Sequence, residues 1–194
     1  MLTIVTAAAR LMALIGGIVL TALVTLTCLS VLGRGIDRLG HSDLMEGLAP
    51  GLAVWISGLG LGPVPGDYEL VEAGIAFAVF AFLPICQLYA AHATVDVFTG
   101  MMPRGVNRFL AAFWEVVLAA VIIVIGWRLY GGFTEKLANG QTTFLLQFPV
   151  WWAYGASLVA AIVAGLVGIY CAVARLVEGW TGRRTLPGGE GVEH

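Results

Sequence analysis

Two polar side chains, Gln87 and Glu115, stand inside otherwise apolar stretches of this sequence. A carboxyl group at membrane depth is costly unless it is paired or used, so Glu115 could carry a proton or an ion. Gln87 and Glu115 could instead hydrogen-bond to each other and clasp two helices. Because one acid and one amide form neither a proton relay nor a coordination shell, the sequence favours the clasp and keeps ion carriage as the alternative.

Other residues with chemical potential have the wrong spacing for a site. The three histidines lie outside the apolar stretches, so paired haem ligation inside a membrane is not expected. The three cysteines stand singly in apolar runs, which provides neither a disulfide framework nor a CxxC metal site. The glycines at 58, 60 and 62 are followed by Pro63 and Pro65 rather than by a helix, against a dinucleotide motif. We therefore expect no enzyme, no metal and no cofactor.

The composition indicates the class of protein that must position these residues. Hydrophobic residues make up 59% of the chain and charged residues 11%, and the mean hydropathy is +0.92. Soluble domains carry about 25% charge, so this is an integral membrane protein. The net charge of −2 and the absence of a basic stripe argue against a nucleic-acid partner.

Four apolar segments are each long enough to cross a hydrocarbon layer of about 30 Å. The first is too long for the core of a signal peptide, which is about 7 to 15 residues, so we read it as a helix of the mature protein. The sequence predicts an all-α membrane protein with one four-helix domain over residues 1–180 and a polar cytoplasmic tail over 181–194. The predicted spans are 11–32, 71–91, 109–130 and 149–174.

The connection between the first two spans, residues 34–65, is long. It begins polar, then contains an apolar-rich stretch around 52–61 that is too short to span a membrane, then breaks at glycines and prolines. This pattern predicts an interfacial helix lying on the outer leaflet. A plain soluble loop is the alternative.

Several spaced motifs agree in order with one known family. They are GDYELVE at 66–72, AVFAFLPICQL at 78–88, Val95-Asp96, Pro103-Arg104, GQTT at 140–143, and Pro149 with Trp151 and Trp152. In these features the chain resembles the small permease subunit of TRAP (tripartite ATP-independent periplasmic) transporters, the DctQ-like family. Compared with that family, the 34–65 connection is an insertion.

The resemblance implies a scaffold subunit in the bacterial inner membrane. Its implied partners are a large permease subunit, which carries the substrate and sodium sites and moves in an elevator-like manner, and a periplasmic solute-binding protein. The implied activity is sodium-driven uptake of organic acids or similar solutes. Two alternatives stay open from the residues alone: an autonomous four-helix porter or channel that uses Glu115 and Gln87, and a structural anchor of another membrane complex.

Basic residues predict the orientation. With the N-terminus inside, six of the ten lysines and arginines fall on the cytoplasmic side, which favours both termini inside. The connection between the second and third spans is then a cytoplasmic loop with a polar and cationic character, which the resemblance also implies. Its polar residues are His92, Asp96, Arg104 and Arg108.

Small residues recur every four positions in two spans and predict packing faces. The residues of these faces are Ala13, Gly17 and Thr21 in the first span and Ala156, Ala160, Ala164 and Gly168 in the fourth. Such faces can pack within the subunit or against a partner, and the sequence leaves both open.

Charged and aromatic residues mark the ends of the spans. Glu72 opens the second span and Arg128 closes the third, so an antiparallel pair of neighbouring helices would bring them together as a rim ion pair. Trp151, Trp152 and Tyr154 cluster at the start of the fourth span. Their amphipathic rings predict anchors at the outer membrane interface, in contact with lipid.

The predicted orientation can be checked by thiol accessibility. We expect a cysteine introduced by Asn139→Cys to react with an impermeant thiol reagent added from the periplasmic side. Cysteines introduced by Asn107→Cys or Gly188→Cys should react only after the membrane is opened. The reverse pattern would invert the topology.

Overall fold

A computed structural model describes residues 2–41, 51, 62, 64–89 and 104–181, with the backbone alone at 104, 107, 108 and 179–181. Each of its four long helices is long and apolar enough to cross a membrane. The only extended pairing in the described residues is an isolated bridge between Thr142 and Pro149. The predicted all-α, four-span fold is therefore confirmed. The helices are α1 (Leu2–Gly40), α2 (Asp67–Leu88), α3 (Arg104–Asn139) and α4 (Trp151–Thr181).

The helices differ in length more than the apolar segments predict. Helix α1 has 39 residues and α3 has 36, which correspond to about 58 and 54 Å at 1.5 Å per residue. Both continue beyond the apolar stretch because polar residues such as Arg38 and Lys136 also favour a helix. Helix α2 has only 22 residues, about 33 Å, and so matches the hydrocarbon layer closely.

Helix α4 is the centre of the bundle. It packs extensively against both α2 and α3, and α1 packs mainly on α2 with a smaller contact to α4. Half of the most apolar stretch of α4 is buried, against 6% for α1. The lateral order of the helices is therefore α1, α2, α4, α3, which is not the order of the chain.

The two ends of the bundle can be told apart by the segments that meet there. A core cluster of Ala9, Leu88, Val167 and Cys171 brings the start of α1 to the ends of α2 and α4. We call this the core end. At the opposite end, α1 ends, α2 begins and the loop from α3 to α4 lies. We call it the loop end. Because α2 and α4 both begin at the loop end and finish at the core end, they run parallel to each other.

Close approach of α1 and α2 depends on a glycine. A Cβ atom on Gly16 would lie 2.8 Å from the Cβ of Ala81, closer than such atoms pack. Further along the same contact, a Cβ on Gly74 would lie 2.8 Å from a methyl carbon of Leu23. Small residues therefore allow these two backbones to meet, as is common between helices in membranes.

The substitution Gly16→Ala should separate α1 from α2. Overpacking of this kind costs about 1 to 3 kcal/mol, so we expect a lower free energy of unfolding for the purified subunit in detergent. The neighbouring Gly17→Ala is the matched control because its Cβ would have only Phe82 nearby, at 4.0 Å. Equal stability of the two variants would contradict the close approach.

Candidate functional site: a polar rim cluster and a buried polar row

The loop end is tied together by an acid at the start of α2. The carboxylate of Asp67 accepts hydrogen bonds from the hydroxyl of Ser30 and from the guanidinium of Arg34, both on α1. Ser30 is fully buried and also accepts a hydrogen bond from the backbone N–H of Val64 at 3.3 Å. An acid in the first turn also complements the positive end of the helix dipole. Asp67 therefore fixes the outgoing end of α1 to α2.

A second acid in the same turn holds the loop between α3 and α4. The carboxylate of Glu69 accepts hydrogen bonds from the backbone N–H groups of Leu145 at 2.6 Å and Leu146 at 2.9 Å. The side chain of Leu146 lies on Gly66, which has a φ of 80° and where an added Cβ would overlap the Leu146 side chain. Any other residue at Gly66 would be strained and would displace the loop.

The loop has its own internal hydrogen bonds. The backbone N–H of Thr143 donates to the carbonyl of Phe148 at 3.0 Å, and that of Val150 donates to the carbonyl of Gln141 at 2.9 Å. The ammonium of Lys136 donates to the side chain of Gln141 at 2.7 Å. The loop is therefore a small hairpin anchored both to α3 and to α2. We call the set Ser30, Arg34, Gly66, Asp67, Glu69 and the Leu145–Leu146 amides the rim cluster.

The predicted ion pair between Glu72 and Arg128 is wrong. Both residues are exposed, and the ion pairs among the described residues are Arg34–Asp67, His41–Asp37 and Arg175–Glu178. The physical reason is that α4 lies between α2 and α3, so the two helices are not the neighbours that the prediction required. The acids that do bond at this rim are Asp67 and Glu69. Their signal in the sequence was their position in the first turn of α2, just after Gly66.

The predicted clasp between Gln87 and Glu115 is also not formed. The amide of Gln87 is fully buried, and neither its nitrogen nor its oxygen has a hydrogen-bond partner among the described residues. It packs against Gly168 of α4, where a Cβ atom would lie 2.8 Å from the Gln87 Nε2. The helices that carry the two residues, α2 and α3, each pack on α4 rather than on each other.

Glu115 has a charged neighbour on α4 instead. It is 6% exposed, and the cation that acts on it electrostatically is Arg175. Arg175 also forms an ion pair with Glu178 at 3.2 Å. Sequence reasoning used Arg175 only to orient the chain, because its approach to Glu115 depends on α3 packing against α4. Gln87 thus contacts α4 at Gly168, and Arg175, the cation that acts on Glu115, lies seven residues further along α4. We call these four residues the buried polar row.

The residues of the rim cluster and of the buried polar row all lie within the match to one protein family. The family model for the DctQ component of tripartite ATP-independent periplasmic transporters matches residues 23–182. The chain belongs to the DctQ family. A search of curated proteins and a search of solved structures each gave no match. The match includes α2, α3, α4 and the whole rim cluster, and it begins within α1.

Membership in the DctQ family makes this chain the small membrane subunit of a TRAP transporter. The family is one of transporter subunits and not of enzymes. The motif that began the resemblance, GDYELVE at 66–72, contains Gly66, Asp67 and Glu69 of the rim cluster. In this DctQ-family chain the motif therefore joins three segments of the subunit to one another.

The two predicted packing faces have different surroundings in this DctQ-family fold. Ala160, Ala164 and Gly168 are buried inside the subunit, whereas Ala156 is exposed and Ser157 beside it is buried. Ala13, Gly17 and Thr21 instead line an open groove along the outside of α1, since Gly16 makes the close contact with α2. The fourth-span face thus packs mainly within the subunit, and the first-span face is free for other contacts.

The predicted interface anchors lie at the loop end and join α3 to α4. The ring of Trp151 packs edge-on against Phe133 with centroids 6.3 Å apart, and against Trp152 at 6.1 Å. Tyr154 lies over Gly132, where a Cβ would be 2.7 Å from its ring. Their contact with the membrane interface stays a prediction.

Some predicted features lie outside the described residues. These are the interfacial helix at 52–61, the loop residues His92 and Asp96, and the polar tail after 181. Arg104 and Arg108 belong to α3, but their side chains are not described.

The contact between Gln87 and Gly168 predicts a coupled pair of substitutions. Because Gln87 is fully buried, its amide has little room to move, and we expect Gly168→Ala to lower the free energy of unfolding by about 1 to 3 kcal/mol. Gly165→Ala is the matched control, since its Cβ would meet no atom within 4 Å. In a double-mutant cycle with Gln87→Ala, the cost of Gly168→Ala should fall. Strict additivity would contradict the contact.

Proposed function

We propose that this chain is the fixed scaffold subunit of a TRAP transporter in the bacterial inner membrane. It works with a large permease subunit that carries the solute and the coupling sodium ions, and with a periplasmic binding protein that delivers an organic acid or a similar solute. The observation that carries the proposal is the placement of the polar groups inside the bundle.

The buried polar side chains of the described spans do not converge on one point. Gln87 and Glu115 lie on helices that each pack on α4 rather than on each other. Ser157 lies eleven residues, about 16 Å, from the Gly168 that contacts Gln87. A transporter binds its solute near mid-membrane through several convergent polar groups or broken helix ends. The arrangement of Gln87, Glu115 and Ser157 supports packing rather than solute binding.

The outer surface of the bundle suits a body against which another subunit moves. Large apolar side chains are exposed along α1 and α3, for example Ile18, Val24 and Val124. In the α1 groove, the hydroxyls of Thr21 and Thr25 donate to backbone carbonyls of their own helix at 2.8 Å, so they require no outside partner. The groove of Ala13, Gly17 and Thr21 is the face we propose for contact with a helix of the large permease.

The rim cluster contributes rigidity to this scaffold. Asp67 ties α1 to α2, and Glu69 ties the α3–α4 loop to α2. All four helices are therefore linked at the loop end, which we propose to be periplasmic. A linked rim would hold the scaffold in one shape while the large subunit changes position.

Reconstitution tests the proposal. Vesicles that contain this chain alone, under an inward sodium gradient, should accumulate no radiolabelled organic acid from a panel of mono- and dicarboxylates. Uptake should begin only when a large TRAP permease subunit and its binding protein are added. Sodium-driven uptake by the chain alone would overturn the scaffold role and favour an autonomous porter. Failure to copurify with any large permease would favour an anchor of another complex.

A further inference from the structure

The hairpin between α3 and α4 presents a strongly exposed apolar tip. Phe144 is 89% exposed, Leu145 59% and Leu146 40%. These three residues, which we call the apolar tip, carry no charge and follow one another directly. A cluster of this kind facing water would be unfavourable, so it calls for an apolar environment.

The tip is held in place rather than free. The carboxylate of Glu69 accepts hydrogen bonds from the backbone N–H groups of Leu145 and Leu146, and the Leu146 side chain packs against Gly66. With both amides engaged at 2.6 and 2.9 Å, the tip has a fixed height relative to the first turn of α2. The side chain of Phe144 is left pointing away from the bundle.

The length of α2 sets that height. At about 33 Å for 22 residues, α2 is little longer than a hydrocarbon layer of about 30 Å is thick. With α2 crossing that layer, its first turn would therefore lie at the boundary with the headgroups. Exposed aromatic residues begin α2 and α4 at the same end: Tyr68 is 80% exposed and Trp152 57%. Tyrosine and tryptophan are enriched at this depth of a membrane.

We propose that the apolar tip is a lipid anchor, in which Phe144 and Leu145 insert into the acyl–headgroup boundary of the leaflet at the loop end. The occupant is lipid because the tip is fixed at the depth of that boundary and is continuous with the exposed aromatic belt. Glu69 is the positioning residue, since its carboxylate holds the loop down against α2. The tip thus adds a membrane contact outside the four spans.

Depth measurement with spin labels tests the anchor. The full chain, with its three cysteines replaced, is labelled after Phe144→Cys and reconstituted in vesicles of phosphatidylethanolamine and phosphatidylglycerol. Controls are Asn139→Cys, at the exposed end of α3, and Val124→Cys, 62% exposed in the middle of α3. Collision with oxygen relative to a water-soluble nickel chelate should be highest at 124, intermediate at 144 and lowest at 139.

Two outcomes would overturn the anchor. One is a label at 144 that collides with the nickel chelate as readily as the label at 139. The other is a label at 144 that is shielded from the chelate only when a soluble binding protein is added, which would make the tip a protein surface. Phe144 is so exposed that its replacement should leave the fold intact.

A second variant tests the positioning role of Glu69. Glu69→Gln keeps the size of the side chain but replaces one acceptor oxygen by an NH2 donor, so that only one of the Leu145 and Leu146 N–H groups can still find an acceptor there. The label at 144 should become more mobile and shift toward the readings of the aqueous control. Glu72→Gln is the matched control, since Glu72 is an exposed acid one turn further along α2. Unchanged depth and mobility in Glu69→Gln would overturn the tether.

Discussion

Close packing of α4 between α2 and α3 is the constraint on which the rest of the bundle depends. Lipid provides no hydrophobic force to push apolar helices together, so contact depends on fit and on satisfied polar groups. Buried Ala160, Ala164 and Gly168 give α4 a narrow face. That narrow face brings the amide of Gln87 against the α4 backbone and brings Arg175 near Glu115. The buried polar row exists only because α4 fits there.

The rim cluster solves a different problem, namely how to fix the ends of helices that are longer than a hydrocarbon layer of about 30 Å is thick. Helix α1 shares little buried surface with the bundle, since only 6% of its most apolar stretch is buried. A buried serine and an arginine at its outgoing end bond to an aspartate in the first turn of α2, and these directional bonds supply what apolar contact cannot. Such charge-assisted bonds are stronger than neutral ones.

The sequence predicted the membrane-spanning helices well, but it did not predict which helices pack against each other. Apolar length predicted all four spans, because hydrophobic thickness acts on each helix separately. The pairings of Glu72 with Arg128 and of Gln87 with Glu115 failed for one shared reason: they assumed that helices adjacent in the chain are adjacent in space. The choice of neighbour depends on shape, and shape depends on residues from three helices at once. The electrostatic influence of Arg175 on Glu115 could not be predicted without that arrangement. For Asp67 and Glu69 the sequence offered only their position in the first turn of α2, and not their partners on α1 and the α3–α4 loop.

The lateral order α1, α2, α4, α3 has a consequence for biogenesis. Chains are synthesised from the N-terminus, so the helix at the centre of this bundle leaves the ribosome after the other three described helices. Until α4 inserts, α2 and α3 lack the surface that separates and joins them, and Gln87 and Glu115 face lipid or each other. The four-helix bundle therefore closes only when α4 arrives, and a chain shortened before Trp151 would lose the centre of the bundle rather than its edge.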